Sequence, residues 1–201
     1  MLYRQLRAAG ADDWRRREGP NEPYGGRQLI VDTSAWTAIE RSEKLGNTPA
    51  EWTEAMRRGQ LLLHPVVRLE LLHHARNNAE VEHWDGMLRE ALAEVRVGKS
   101  IYEKATDAIH KLADRNPHGG HKVSLGDVLI AASAQEQKAG VLHYNPKDFG
   151  KLATVLDFEQ VLLGGVTGTF ERGGMIHNPG AKPGERYMWK RGYGPGEQPP
   201  G

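Results

Sequence analysis

Leu29-Ile30-Val31 is apolar at every position. A strand with one face in water alternates apolar and polar side chains, so a run without alternation is buried on both faces. Such a strand needs cover above and below, and helices supply it. Gln60 to His64 and Val141-Leu142-His143 have the same character, and Val161-Leu162-Leu163 is a candidate fourth strand. Helical signals fill the intervals. Thr48-Pro49-Ala50-Glu51 is a capping box with Pro at the first helical position, which predicts a helix from about Pro49 to Arg58, stopped by Gly59. Val66 to Arg76 reads as helical. Ala79 to Val97 carries Val81, Trp84, Leu88, Leu92 and Val95 at helical spacing. Ser100 with Glu103 forms a second capping box, for a helix through Asp114. Ser124 opens a strongly apolar helix through Ala139, closed by Gly140. This alternation predicts an α/β fold, a short parallel sheet of about four to five strands flanked by helices. Sites in such sheets lie beyond the carboxyl ends of the strands.

Composition sets the outer limits. The 201 residues suffice for one domain with a substantial core. The chain has no Cys, which removes disulfides, thiolate zinc sites and a Cys nucleophile. No apolar run reaches the ~18 residues of a membrane span. The first 20 residues lack the continuous apolar stretch of a secretory signal, so the cytoplasm is the expected compartment. Charge divides the chain in three. Residues 1–28 hold six Arg against four acids, residues 164–201 five basic against three acidic, and the stretch between 16 basic against 19 acidic. We read 1–28 as a flexible extension, 29–163 as the domain, and 164–201 as a Gly/Pro-rich basic tail too poor in apolar surface to offset its ordering entropy. Tyr187, Trp189 and Tyr193 alternate with basic residues there, a pattern shared by solubilising tails and by weak RNA-binding arms.

The acids carry the chemistry. Asp32 follows the first strand directly, where an Asp serves either as an N-cap or as a carboxylate aimed into the crevice. Glu70 sits within Val-Val-Arg-Leu-Glu-Leu-Leu, either on a solvent stripe paired with Arg68 or Arg76, or buried toward a cation. Asp127 lies three residues after Ser124 at the head of the most apolar helix, so it caps the helix, faces a cavity, or both. Asp148 follows the third strand in Tyr-Asn-Pro-Lys-Asp-Phe, with Asn145 as a second polar candidate. Four such acids together imply a hard divalent cation, Mg²⁺ or Mn²⁺, because clustered carboxylates repel one another without one. A cation held this way can activate water and stabilise a phosphorane-like transition state.

Four segments in order bear a resemblance. Leu29-Ile-Val-Asp32-Thr-Ser34, Val67-Arg-Leu-Glu70-Leu-Leu72, Ser124-Leu-Gly-Asp127-Val-Leu-Ile-Ala-Ala-Ser-Ala134 and Val141-Leu-His-Tyr-Asn145-Pro-Lys-Asp148-Phe149 together resemble a PIN domain of the type found in VapC toxins of toxin–antitoxin pairs. The resemblance implies a metal-dependent endoribonuclease in which Asp32, Glu70, Asp127 and Asp148 share one or two Mg²⁺ or Mn²⁺ ions. It assigns supporting roles to Thr33, Ser34, Ser124 and Asn145. It further implies an RNA substrate, with tRNA or rRNA as candidates, a small VapB-like antitoxin whose C-terminal segment fills the groove, and a homodimer. One departure concerns the last segment: members often read Asp-x-Asp-Phe, whereas this chain reads Asn-Pro-Lys-Asp-Phe, so the fourth ligand is either Asp148 or Asn145.

Other features are weaker. His73-His74 diverge on a helix, and His118-Gly-Gly-His121 lacks further zinc ligands at the usual spacing. His118 and Lys122 are candidates for contact with RNA phosphate. Trp36, Trp52 and Trp84 read as core or interface. Two other function classes compete. An aspartate-based α/β phosphatase would place a second Asp two residues after the first, where Ser34 stands. A non-catalytic RNA- or protein-binding module would keep the fold without needing the acids.

Overall fold

The computed structural model describes residues 26–44, 50–115 and 122–163, together with three short strands at 169–171, 175–177 and 187–188. In chain order the elements are β1 (Leu29–Val31), α1 (Thr33–Lys44), α2 (Ala50–Arg57), β2 (Leu61–Leu63), α3 (Pro65–His73), α4 (Asn78–Ala91), β3 (Ala93–Glu94), α5 (Lys99–Arg115), α6 (Leu125–Gln137), β4 (Gly140–His143), α7 (Pro146–Leu152) and β5 (Glu159–Leu162). Strands β1 to β5 are parallel in the order β3-β2-β1-β4-β5. Leu29 stands opposite Leu61 on one side and Gly140 on the other. All three residues of β1 are fully buried, as an unalternating apolar strand requires.

This order has one consequence for function. The parallel strands start at the centre with β1, build outward through β2 and β3, and then return to the other side of β1 to lay down β4 and β5. The direction of winding reverses between β1 and β4. Their carboxyl ends diverge there and leave a crevice, the place where open α/β sheets take their ligands.

The core packs on both faces. Trp36 of α1 meets Trp52 of α2 edge-on, with ring centroids 4.9 Å apart, and both are buried; such a pair contributes about 1 kcal/mol beyond its buried area. Trp84 is only half-buried. Helix α6 is covered nearly all round: Val128, Ile130, Ala131, Ala132, Ser133 and Ala134 are buried.

Several element limits differ from the sequence expectation. Helix α4 ends at Ala91, and Ala93–Glu94 pairs with Leu62 and Leu63 as a fifth strand. Its two residues carry no periodicity, so the sequence signal continued the helix through them. Helix α6 ends at Gln137, where Lys138 takes the left-handed conformation at φ 54°; Gly140 already belongs to β4. Ser100 lies inside α5 and gives its hydroxyl to Glu136 Oε1 at 3.0 Å instead of capping the helix. Gly59 does close α2, at φ 64°.

Beyond β5, strands β6 (Thr169–Glu171), β7 (Met175–His177) and β8 (Tyr187–Met188) extend the sheet edge in antiparallel order. They fall within the stretch that composition reads as a tail. The rest of that stretch, and residues 1–25 of the N-terminal extension, lie outside the described residues. So do His118 and His121. Among the described residues no helix is long and apolar enough to cross a membrane.

Candidate functional site

Asp32 is the first residue past β1 and is 4% exposed. It caps α1 and is a candidate site carboxylate. Its Oδ2 accepts the Ser34 backbone N–H at 2.9 Å, closing the first turn of α1, and also the Ser34 hydroxyl. Ser34 Oγ in turn accepts the Tyr144 backbone N–H at 2.9 Å. One small side chain therefore joins the ends of β1 and β4 across the point where the winding reverses.

Glu70 comes from α3. The sequence offered Arg68 and Arg76 as its partners, but both are engaged elsewhere. Arg68 Nη2 binds Asp85 Oδ2 at 2.8 Å and Arg76 Nη2 binds Glu80 Oε1 at 2.6 Å. Glu70 Oε2 instead accepts the Thr33 hydroxyl. Its Oε1 lies 3.1 Å from where a Cβ on Gly126 would stand, and Val66 Cγ1 is equally near. Gly126 is thus a point of close approach between α3 and α6. A Gly inside an otherwise apolar helix pattern is the sequence signal for such a crossing, and the sequence reading did not single it out.

Asp127 and Asp148 head α6 and α7. They are linked by Asn145, whose side-chain amide donates to Asp127 Oδ2 at 3.0 Å and to Asp148 Oδ2 at 3.2 Å. Asn145 Oδ1 caps α7 through the Asp148 N–H. Asn145 thus acts as a donor that holds the Asp127 and Asp148 carboxylates side by side. Ser124 is the N-cap residue of α6 by position, yet its side chain makes no capping bond. Lys122 is exposed, and its carbonyl accepts Lys151 Nζ at 3.4 Å.

Electrostatics show that the four acids feel one another. Burial, then the charges of Asp32, Asp148 and Glu70, push the Asp127 carboxyl up to about 7, against a smaller opposing effect of the Asn145 amide. Burial also raises Asp32, with the Ser34 hydrogen bonds opposing it. Among the described residues none of the four is ion-paired with a basic side chain, and no three His, Asp or Glu side chains already form an ion cage. The donor set is nevertheless all oxygen. Glu70, Asp127 and Asp148 each engage one carboxylate oxygen and keep the other free of hydrogen bonds among the described residues. Those are the donors a hard divalent cation takes.

Two histidines at strand ends are fully buried. His64, just past β2, and His143, at the end of β4, each accept through Nδ1 the backbone N–H two residues on, Val66 and Asn145 respectively, at 3.1 Å. Burial holds both neutral, His64 down to about 4 and His143 to about 3. The sequence reading treated both only as strand-end residues. For His64 the signal was present: a polar residue between an apolar run and a Pro is an N-cap position.

Residues 29–155 match the PIN domain family. A curated relative, ribonuclease VapC18 of Mycobacterium tuberculosis, is 28% identical over 129 residues, covering 63% of this chain and 88% of its own. Among solved structures, VapBC2 from Rickettsia felis bound to a promoter DNA fragment is similar at 16% identity and TM-score 0.46, over 66% of this chain and 97% of the other. DNA-bound VapBC from Salmonella typhimurium matches at 14% identity and TM-score 0.45, over 67% and 98%.

Proposed function

Because this chain belongs to the PIN domain family, we propose that it is the toxin of a toxin–antitoxin pair and acts as an endoribonuclease dependent on Mg²⁺ or Mn²⁺. The observation that carries the reading is the convergence of four carboxylates from four separate segments, with no basic partner among the described residues, at the reversal between β1 and β4. Asp32, Glu70, Asp127 and Asp148 would hold the cation. When bound, it supplies Lewis-acid stabilisation of charge on the phosphate and lowers the pKa of water at the site.

The chain's own groups do the rest. Ser34 fixes Asp32 in one orientation and joins it to the β4 end. Thr33 fixes Glu70, and Asn145 keeps Asp127 and Asp148 together. With four acids so held, the site supplies a dense negative charge that accepts a cation but repels a bare phosphate. RNA is therefore bound through the cation and through basic groups, with Lys122 and, outside the described residues, His118 as the sequence candidates. The relative named as a ribonuclease supports this reading. A small VapB-like antitoxin, a second copy of the chain and a cytoplasmic setting complete it.

An RNA cleavage assay tests the proposal. Total cellular RNA is incubated with the purified chain and Mn²⁺ or Mg²⁺, with and without EDTA, beside Asp127→Asn. Discrete fragments that vanish with EDTA and in the variant are expected. Cleavage that persists in EDTA, or in Asp127→Asn, overturns the site.

A further inference from the structure

His64 is fully buried at the carboxyl end of β2, and its ring is hydrogen-bonded on both nitrogens. Nδ1 accepts the Val66 N–H at 3.1 Å, so the ring proton sits on Nε2 and is donated to Ser133 Oγ at 3.0 Å. Ser133 is fully buried too, and lies on α6 six residues after Asp127. Val66 returns to α6 by a second route, its Cγ1 lying 3.1 Å from the Cβ position of Gly126. The contacts thus close a circuit: Ser133 to His64, His64 to Val66, Val66 to Gly126, and Gly126 to Glu70. Its members lie on the two helices that carry Glu70 and Asp127.

We propose that His64 is a positioning residue: through its hydrogen bond to Ser133 it pins the first turn of α3 to the middle of α6, and so sets where the Glu70 carboxylate stands relative to Asp127. The proposal rests on the cation-holding reading above. His64 Nδ1 already caps α3 through the Val66 N–H; the Nε2–Ser133 bond goes beyond that capping and gives the buried pair a second purpose. Among the described residues neither is hydrogen-bonded to any of the four acids. Their effect passes through helix position, and small displacements matter because a cation site tolerates little change in ligand spacing.

The test is the affinity of the metal-free full chain for Mn²⁺, by titration calorimetry, with thermal melting to establish that each variant is folded. His64→Asn keeps an acceptor for the Val66 N–H but is too short to reach Ser133. Ser133→Ala removes one hydroxyl and no more. Each is expected to weaken Mn²⁺ binding about ten-fold, the scale seen when an outer partner of a metal ligand is lost. The double variant is expected to bind no worse than either single one, because both remove the same bond. Ser133→Thr, which keeps the hydroxyl, is expected to restore binding. Folded variants that melt lower yet bind Mn²⁺ like the wild type overturn the positioning role and leave the cation site standing. Losses that add in the double variant overturn it as well. A wild-type chain that binds no Mn²⁺ overturns the cation reading and this inference together.

Discussion

Asp127→Asn separates what the site costs the fold from what it does. Asp127 is 8% exposed, and its carboxyl is pushed up to about 7 by burial and by three neighbouring carboxylates. An unfolded Asp titrates near 3.8. Between these values the folded chain binds the proton more strongly than the unfolded one. Stability without metal therefore falls as pH rises from about 4 to 7, and the full penalty is present above 7. Three pKa units correspond to about 4 kcal/mol as an upper bound; relaxation and water entry reduce this, so ~2 kcal/mol is the working figure. Asn cannot ionise. Its carbonyl still accepts from Asn145, and its amide faces the other acids as a donor. Asp127→Asn should therefore melt higher than the wild type at pH 8 in EDTA, by roughly 6 °C at ~3 °C per kcal/mol, and the difference should vanish at pH 4. Mn²⁺ should reverse the order, since ligand binding stabilises only the chain that binds it. Melting curves at pH 4 and 8, with EDTA and with Mn²⁺, test all of this. A variant that melts lower than the wild type at pH 8 in EDTA would refute the argument that the four carboxylates repel one another at close quarters.

Gly126→Ala places a Cβ 3.1 Å from Glu70 Oε1 and from Val66 Cγ1; cleavage should fall about ten-fold or more with little change in melting temperature, and undiminished cleavage would show that Glu70 has room to yield. Burial holds His64 down to about 4 against an ordinary 6.5, so the unfolded chain takes up that proton first as pH falls. The stability His64 contributes is whole above 6.5 and drains between 6.5 and 4, by up to about 3 kcal/mol. Urea titrations across that window should give a shallower pH slope for His64→Asn. Arg68 grips Asp85 in a two-pronged contact, Nη2–Oδ2 at 2.8 Å, and joins α3 to α4. Asp85→Asn should cost about 0.5–1 kcal/mol in urea unfolding, with the difference shrinking as salt is added, because both side chains remain partly exposed.

Much of the fold was legible because its signals are local. Leu29–Val31 and Leu61–Leu63 announce buried strands through missing alternation, and Gly59 closes a helix where a left-handed residue is needed. Strand β3 was not legible. Two residues carry no period, and only the free edge of β2 makes a strand of them. The four acids could be named from their places at strand ends and helix heads. Which partner each one takes could not. Arg68 and Arg76 are near Glu70 in sequence, yet neither stands three or four residues from it on α3, and Asp85 and Glu80 hold them.

The sequence by itself determined the class of fold, the order of its elements and the residue types available at each strand end, because burial pattern and capping chemistry act over a few neighbouring residues. Tertiary structure alone decided that Asn145 would bridge Asp127 and Asp148, that Ser34 would join β1 to β4, that Gly126 would mark a helix crossing, and that His64 would reach Ser133. Those bonds span from 18 to 110 residues of chain except for the closest pair. They exist only because the sheet reverses its winding between β1 and β4 and brings four separate segments to one crevice.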